Sequence, residues 1–285
     1  MKLIAAVMVA LLSCTPLYAH DFKMLTWNVY MLPWPIKQSR QAERTKIIAE
    51  QLKKTDYDII VLQEAFMSSF KNRVKNSMRA THPYTYRLGK LWGITKRFDS
   101  GVFVLSKYPI RLKDKVYYTN CEGFDCYASK GAALLEVTID GQDMQFVSTH
   151  MQSGQSEVHS RVRAKQLAQI NKMLMRNSKS NIWQFLAGDL NIDALKVTEF
   201  EAALQSLGMH APKLQGTLTS SKAPLTSCFG KANTTRQARV DHVLVKYDQK
   251  PLYPMYQKII PIRAKVNGQM CDLSDHLPVE MEMKI

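Results

Sequence analysis

The feature that most constrains the fold is a series of short apolar runs, most of them bordered by polar residues able to bind a metal or a phosphate. Their enrichment in Val, Ile and Phe and their flanking turn residues predict strands. The runs cover 24–29, 58–62, 101–105, 132–139, 145–148, 183–187, 240–245 and 277–283. Helical periodicity follows Ser39 and Ser156 and extends from Thr198 to Gly208. Strands outnumber helices, so two mixed sheets packed face to face, with helices outside, fit better than an alternating parallel sheet.

The first residues have the pattern of a secretory signal. A positive charge precedes an apolar run over 3–12, and the small residue Ala19 follows. We expect cleavage of 1–19 and a secreted or periplasmic protein with one catalytic domain, 20–285. The alternative is a lipoprotein signal in which Cys14 is lipidated. No later stretch approaches the roughly 20 apolar residues that span a bilayer.

The formal net charge is +15, and loss of Lys2 with the signal leaves +14 (15 minus 1). Such an excess favours anionic partners, namely nucleic acid, an anionic membrane surface or a phosphate-bearing substrate. Charge alone does not choose among them. Lys53-Lys54 and the segment from Lys71 to Lys75 are typical of a solvated face.

The cysteines predict disulfides. Five are present, and removal of Cys14 leaves the even number expected of an exported protein. Cys121 and Cys126 are close in a turn, which favours a local bridge and leaves Cys228 to pair with Cys271. A zinc site is a poor alternative, because no second close pair accompanies the first.

Polar residues at the strand ends form an ordered set along the chain. Its members are Asn28, Gln63-Glu64, His150, Asp189 with Asn191, Asp241-His242 and Ser274-Asp275-His276. Singly, each has an ordinary structural explanation, such as a turn residue or a satisfied histidine. Together they indicate a site built from loops on a rigid scaffold.

This set, written Thr-Trp-Asn-Val, Leu-Gln-Glu, Ser-Thr-His, Gly-Asp-Leu-Asn, Val-Asp-His-Val and Ser-Asp-His, resembles the endonuclease/exonuclease/phosphatase superfamily in order and spacing. Its strongest marks are Gly188 to Asn191 and Ser274 to His276. The resemblance implies an α/β fold, a deoxyribonuclease-like four-layered α/β sandwich of two mixed β-sheets flanked by helices. It also implies Mg²⁺-dependent cleavage of phosphate esters, with Mn²⁺ or Co²⁺ as substitutes.

The resemblance also implies residue roles. Glu64 is the main metal ligand, with Asn28 and Asp275 nearby, since carboxylate and amide oxygens suit Mg²⁺. His276 is the general base, and Asp241 orients it.

Three further residues complete the implied site. Asp189 orients the attacking water or binds metal, and Asn191 donates to a phosphoryl oxygen. His150 contacts the phosphate or protonates the leaving alkoxide. Which histidine is the acid and which the base stays open.

Three local features resemble the neutral sphingomyelinase branch: residues 28–33, residues 63–66, and the segment from Cys121 to Gly131 that carries Asp125 and Lys130. The branch implies hydrolysis of sphingomyelin, or a related choline phospholipid at a membrane surface, to ceramide and phosphocholine. Lys130 would reach the phosphate, with Asp125 also needed for catalysis. No obligate protein partner is expected.

Two other functions are open. A secreted nonspecific nuclease would share the scaffold, and the positive charge favours nucleic acid as its substrate. A catalytically dead module binding phosphate-bearing ligands would require loss of a ligand, and none is missing. A nuclease needs a broad Lys/Arg groove, whereas a lipid enzyme needs a short pocket with an apolar rim. The segment from Pro251 to Tyr256 is a candidate for contact with lipid, with core packing as its alternative.

Overall fold

The computed structural model describes residues 21–33, 36, 39–91, 96–223, 229, 237–247 and 254–284. The predicted signal, with Cys14, lies outside these residues, as do Cys228 and 251–253. In the described part of the chain, no helix is long and apolar enough to cross a membrane.

The described residues form four α-helices, fourteen strands and one short 3₁₀ helix. The helices are α1 Gln41–Leu52, α2 Ser68–Met78, α3 Glu157–Arg176 and α4 Val197–Leu207, and the 3₁₀ helix is Gly123–Tyr127. The strands are β1 Asp21–Asn28, β2 Ile59–Gln63, β3 Tyr84–Arg87, β4 Phe103–Ser106, β5 Ile110–Tyr117, β6 Gly131–Ile139, β7 Gln142–His150, β8 Trp183–Asp189, β9 Lys213–Gln215, β10 Asp241–Lys246, β11 Met255–Ile259, β12 Arg263–Val266, β13 Gln269–Asp272 and β14 Val279–Lys284.

Two mixed sheets carry most of these strands. The seven-stranded sheet has the order β3-β4-β2-β1-β14-β11-β9, and the five-stranded sheet has the order β10-β8-β7-β6-β5. Strands β12 and β13 form a separate hairpin.

The sheets face each other, and helices cover both outer faces. Phe22 of β1 meets Phe185 of β8 between the sheets, with ring centroids 5.5 Å apart. Trp27, on the opposite face of β1, lies in a second core formed with α1 and α2. A third core packs α3 and α4 against the five-stranded sheet. The layers therefore run helix, sheet, sheet, helix, and the predicted fold class is confirmed.

Each of the eight predicted apolar runs contains a strand, and the three predicted helices correspond to α1, α3 and α4. Helix α2 was missed, and the solvated face predicted for its lysines is wrong at Lys71. That side chain is 2% exposed and forms an ion pair with Asp99. In the candidate lipid-contact segment, Met255 and Tyr256 are half-buried in strand β11, while 251–253 lie outside the described residues, so the choice between lipid contact and core packing stays open.

Strand direction brings the predicted site residues to one edge of the sandwich. Strands β1 and β2 are parallel, and β14 is antiparallel to β1, so the ends of β1 and β2 meet the start of β14. In the other sheet β7 and β8 are parallel, while β10 runs antiparallel and pairs Asp241 with Asp189. The same edge therefore carries six strand ends from both sheets.

Candidate active site

Asp189 lies at the centre of the site and is 1% exposed. Asn28 donates a hydrogen bond from Nδ2 to Asp189 Oδ2 at 3.0 Å, which links the two sheets. The Nε2 atoms of His150 and His276 lie 3.7 and 3.8 Å from the same oxygen. Burial raises the pKa of Asp189, but the positive charge of His276, together with Lys222 and the hydrogen bond from Asn28, outweighs burial and lowers that pKa. Asp189 is thus a carboxylate placed between two imidazoles.

The Gly-Asp-Leu-Asn turn that holds Asp189 depends on close backbone packing. A Cβ atom at Gly188 would lie 2.1 Å from the carbonyl oxygen of Thr149, so only glycine fits. Asn191 has φ 54°, a left-handed conformation that is uncommon for residues other than glycine. Its backbone N–H donates to Asp189 Oδ1 at 2.9 Å, and its Nδ2 donates to the carbonyl of Met151 at 3.2 Å.

His276 and Asp241 form a buried pair. His276 Nδ1 lies 2.7 Å from Asp241 Oδ2, which leaves Nε2 directed toward Asp189. Burial lowers the pKa of His276, but the negative charge of Asp241 dominates and raises it to about 9. The backbone of this segment is fixed by Trp27, whose indole N–H donates to the carbonyl of His276 at 3.0 Å. Ser274 Oγ also donates to the carbonyl of Asn28 at 2.6 Å.

Glu64 has the properties of a cation ligand. Its φ is 54°, and its Oε2 atom is buried without a hydrogen-bond partner among the described residues. Burial, with the nearby charge of Asp275, raises the pKa of Glu64 to about 7. A divalent cation would stabilise both carboxylates, and hard oxygen ligands fit Mg²⁺. The residues present therefore fit the metal that the sequence implied.

A second set of groups is also compatible with a metal. Ligand atoms of Asp189, Asp241 and His276 lie within 4.8 Å of one another. Asp241 Oδ2 and His276 Nδ1 already bind each other, however, so we favour Glu64 as the principal metal position.

Lys130 joins the site from the start of β6. It is 5% exposed, and its Nζ donates to Asp125 Oδ2 and to the carbonyl of Met151, both at 2.8 Å. The same atom lies 3.3 Å from His150 Nε2. Burial, reinforced by the charge of Lys130, lowers the pKa of His150 to about 3. A Cβ atom at Gly131 would lie 2.2 Å from the carbonyl oxygen of Val116, which explains glycine after this lysine.

Asp125 is held by a short disulfide-closed turn. Cys121 and Cys126 form a disulfide with a Cα–Cα distance of 5.2 Å. Asp125 also accepts a hydrogen bond from the backbone N–H of Ser153 at 2.6 Å. The disulfide therefore closes the turn, and this hydrogen bond attaches the turn to the segment that follows β7. Cys271 is disulfide-bonded as well, but the predicted partner Cys228 lies outside the described residues and that pairing stays a prediction.

The structure brings all ten predicted catalytic and metal residues to one edge, and it adds two that sequence patterns missed. Arg44 of α1 is fully buried and donates to the carbonyls of Val29, Tyr30 and Leu273, so it fixes two of the site loops. Lys222 contacts His276 Nε2. Neither lies at the border of an apolar run, the signal that found eight of the ten, nor in the segment from Cys121 to Gly131, whose resemblance indicated Asp125 and Lys130.

His242, the residue after Asp241, has a structural role. Its Nε2 lies 2.9 Å from the carbonyl of Ile192, and its ring stacks on Phe200. It therefore supports the loop that follows Asn191.

Comparison with known proteins places this geometry in a family. The model of the Endonuclease/Exonuclease/phosphatase family matches residues 25–276. The chain belongs to this family and is a phosphodiesterase hydrolase.

The alignments with related proteins cover nearly the whole chain. A Phospholipase C of Staphylococcus aureus is 25% identical over 292 residues, which cover 93% of this chain and 88% of that protein. A Sphingomyelinase C of Listeria ivanovii is 24% identical over 292 residues, covering 92% and 86%. A crystal structure of a beta toxin double mutant from Staphylococcus aureus, with bound magnesium ions, has a TM-score of 0.76 at 22% identity, covering 92% of this chain and 99% of that one.

Proposed function

We propose that this protein is a secreted, Mg²⁺-dependent sphingomyelinase that hydrolyses sphingomyelin, or a related choline phospholipid, to ceramide and phosphocholine. The observation that carries the proposal is the character of the pocket beside the site. It has a volume of about 210 Å³ and opens onto Glu64, Asp125, Lys130 and His150. Its other described lining residues are apolar or aromatic apart from one serine: Leu32, Pro33, Ile36, Phe66, Phe98, Phe124, Tyr127, Ala128 and Ser153.

This lining favours a lipid over a nucleic acid as the substrate. A groove for DNA needs many Lys and Arg side chains to neutralise successive phosphates. Here Lys130 is the one Lys or Arg among the described residues that line the pocket. Phe124 is 89% exposed and its ring centroid lies 6.2 Å from that of Tyr127, so the rim presents aromatic surface to solvent. One charged phosphate group beside apolar chains matches this arrangement.

The chemistry assigns one task to each group. The P–O bond to the ceramide oxygen breaks as a P–O bond to water forms; one proton of the water passes to His276, and the ceramide oxygen takes up a proton from solvent. Asp241 orients His276 and stabilises its positive charge. Lys130 and Asn191 donate to phosphoryl oxygens. Glu64, with Asn28 and Asp275 nearby, would hold Mg²⁺, which would withdraw charge from the phosphate.

The two histidines differ in their partners and in the direction of their pKa shifts. His276 Nδ1 is bound to the buried Asp241 carboxylate, which supports the positive charge that a base acquires. The same carboxylate raises the pKa of His276 to about 9, so the ring acts as the base from its deprotonated form. His150, lowered to about 3, is kept neutral, so it can donate an N–H to the phosphate but lacks the extra proton of a general acid. We therefore assign phosphate contact to His150.

Secretion is part of the proposal. The Cys121–Cys126 disulfide supports it, since such bonds persist in oxidising compartments. The predicted signal and the single catalytic domain over 20–285 agree with it.

The first experiment compares substrates. The purified protein, with Mg²⁺, is expected to release phosphocholine from sphingomyelin vesicles and to leave plasmid DNA largely uncut, and a chelator should stop the release. DNA cleavage without phosphocholine release would reject the lipid assignment in favour of the nuclease.

The exposed aromatic rim gives a second prediction. Phe124→Ser should lower hydrolysis of sphingomyelin in vesicles about 10- to 150-fold, because burying a phenylalanine in an apolar phase contributes about 1.5–3 kcal/mol. Hydrolysis of a water-soluble phosphorylcholine ester should change little. Met175→Ser, at an exposed methionine on α3, is the matched control. An equal loss on both substrates would mean that Phe124 shapes the pocket and does not contact the membrane.

A further inference from the structure

A lysine without a role in the proposed mechanism lies against the general base. Lys222 Nζ contacts Nε2 of His276. That is the ring nitrogen left available, since Asp241 binds Nδ1. The lysine nitrogen therefore occupies the side of His276 from which a water molecule would transfer its proton.

The backbone holds Lys222 in this position. Lys222 and His276 form an isolated antiparallel β-bridge. Next to it, Ala223 donates its N–H to the carbonyl of Asp275 at 2.8 Å. On the other side, the N–H of Lys222 donates to the carbonyl of Ala238 at 3.2 Å. Lys222 is thus fixed to the segment that carries the base, and its side chain is half-buried.

Lys222 and Lys130 have equivalent positions in the site, because each contacts one of the two histidines. Lys130 lies 3.3 Å from His150 Nε2, and Lys222 contacts His276 Nε2. Both imidazoles flank Asp189, at 3.7 and 3.8 Å. One lysine therefore stands at each end of a row formed by histidine, aspartate and histidine. A phosphate bound over this row would meet a positive charge from both ends.

We propose that Lys222 is a further catalytic residue, which donates a hydrogen bond to a non-bridging phosphoryl oxygen of the bound phosphodiester. The attacking water must reach Nε2 of His276, so the Lys222 ammonium has to leave that nitrogen when substrate binds. The phosphorus under attack carries oxygens beside that water, and negative charge on them grows as the new P–O bond forms. The β-bridge to His276 keeps the Lys222 ammonium close to these oxygens, so a movement of its side chain alone brings it to stabilise this charge. The inference rests on the proposed role of His276, and it concerns any phosphodiester that the site cleaves.

The test compares Lys222→Met, Lys222→Arg and the wild type on bis(4-nitrophenyl) phosphate, which contains neither choline nor lipid. A charge-assisted hydrogen bond predicts a loss of kcat of at least about tenfold in Lys222→Met, with part of the activity kept in Lys222→Arg. Affinity for inorganic phosphate, measured by calorimetry with Mg²⁺ present, should fall by a similar factor. Lys107→Met, at a half-buried lysine paired with Asp56 and Asp58, should leave both quantities unchanged.

The two readouts separate the possible roles. Loss of kcat with unchanged phosphate affinity would show that Lys222 acts only through His276 and would overturn the phosphate contact. A kcat within twofold of the wild type, or no loss of phosphate affinity in Lys222→Met, would overturn it as well. Failure to cleave sphingomyelin would reject the lipid assignment without affecting either measurement.

Discussion

Replacing His276 by alanine is expected to reduce turnover of sphingomyelin by about 10²- to 10⁴-fold, the contribution typical of a general base. The reason is geometric. Nδ1 of His276 lies 2.7 Å from the buried carboxylate of Asp241, which leaves Nε2 of the same ring to accept the proton of water. The measurement is kcat on sphingomyelin vesicles at saturating Mg²⁺. Metal affinity should change little, because Glu64 remains in place.

The control for this prediction concerns folding, because His276→Ala leaves Asp241 buried without its partner. His276→Gln keeps an amide that can donate to Asp241 and should be the more stable of the two variants, yet equally inactive. His210→Ala, at an exposed histidine outside the site, should keep full activity. Wild-type turnover in a folded His276→Gln protein would refute the assignment of the base.

The two packed sheets and the eight strands that correspond to apolar runs could be predicted from the sequence. Strands in the middle of a layered fold are covered by other layers and therefore consist largely of apolar residues. Strand β5 could not be predicted, since Ile110–Tyr117 contains no fully buried residue and carries four charged residues among its eight. Helix α2 was missed for a related reason. Its lysines predicted a solvated face, whereas Lys71 is buried by an ion pair with Asp99, a residue distant in sequence.

The site was predictable where function and strand ends coincide. Asn28, Glu64 and Asp189 each end an apolar run, and their convergence follows from strand direction. Arg44 and Lys222 carry no such local signal, because each reaches the site through tertiary contacts. Helix α1 turns Arg44 toward the carbonyl of Leu273, 229 residues away, and a β-bridge sets Lys222 beside His276. Only the folded chain shows these contacts.

The segment from Cys121 to Lys130 gives the prediction that best tests the sphingomyelinase assignment. Lys130→Met should reduce sphingomyelin hydrolysis by at least about 10- to 150-fold, the value of one charge-assisted hydrogen bond to phosphate. The variant should also lose stability, because it leaves the Asp125 carboxylate buried without its cation. Breaking such a pair costs about 3–5 kcal/mol. Activity alone therefore does not distinguish a phosphate contact from a structural ion pair.

The double variant Asp125→Asn with Lys130→Met makes that distinction. Removing both charges eliminates the unpaired carboxylate, so the free energy of unfolding should return most of the way to the wild-type value. If Lys130 donates to the substrate phosphate, hydrolysis stays low in this stable protein, and its loss is smaller than the two single losses combined, since residues acting as a unit are not additive. If the ion pair only supports the turn between Cys121 and Cys126, activity recovers together with stability. Recovery of vesicle hydrolysis in the double variant would therefore remove Lys130 from the catalytic machinery, while Glu64, His276 and the fold that places them would stand.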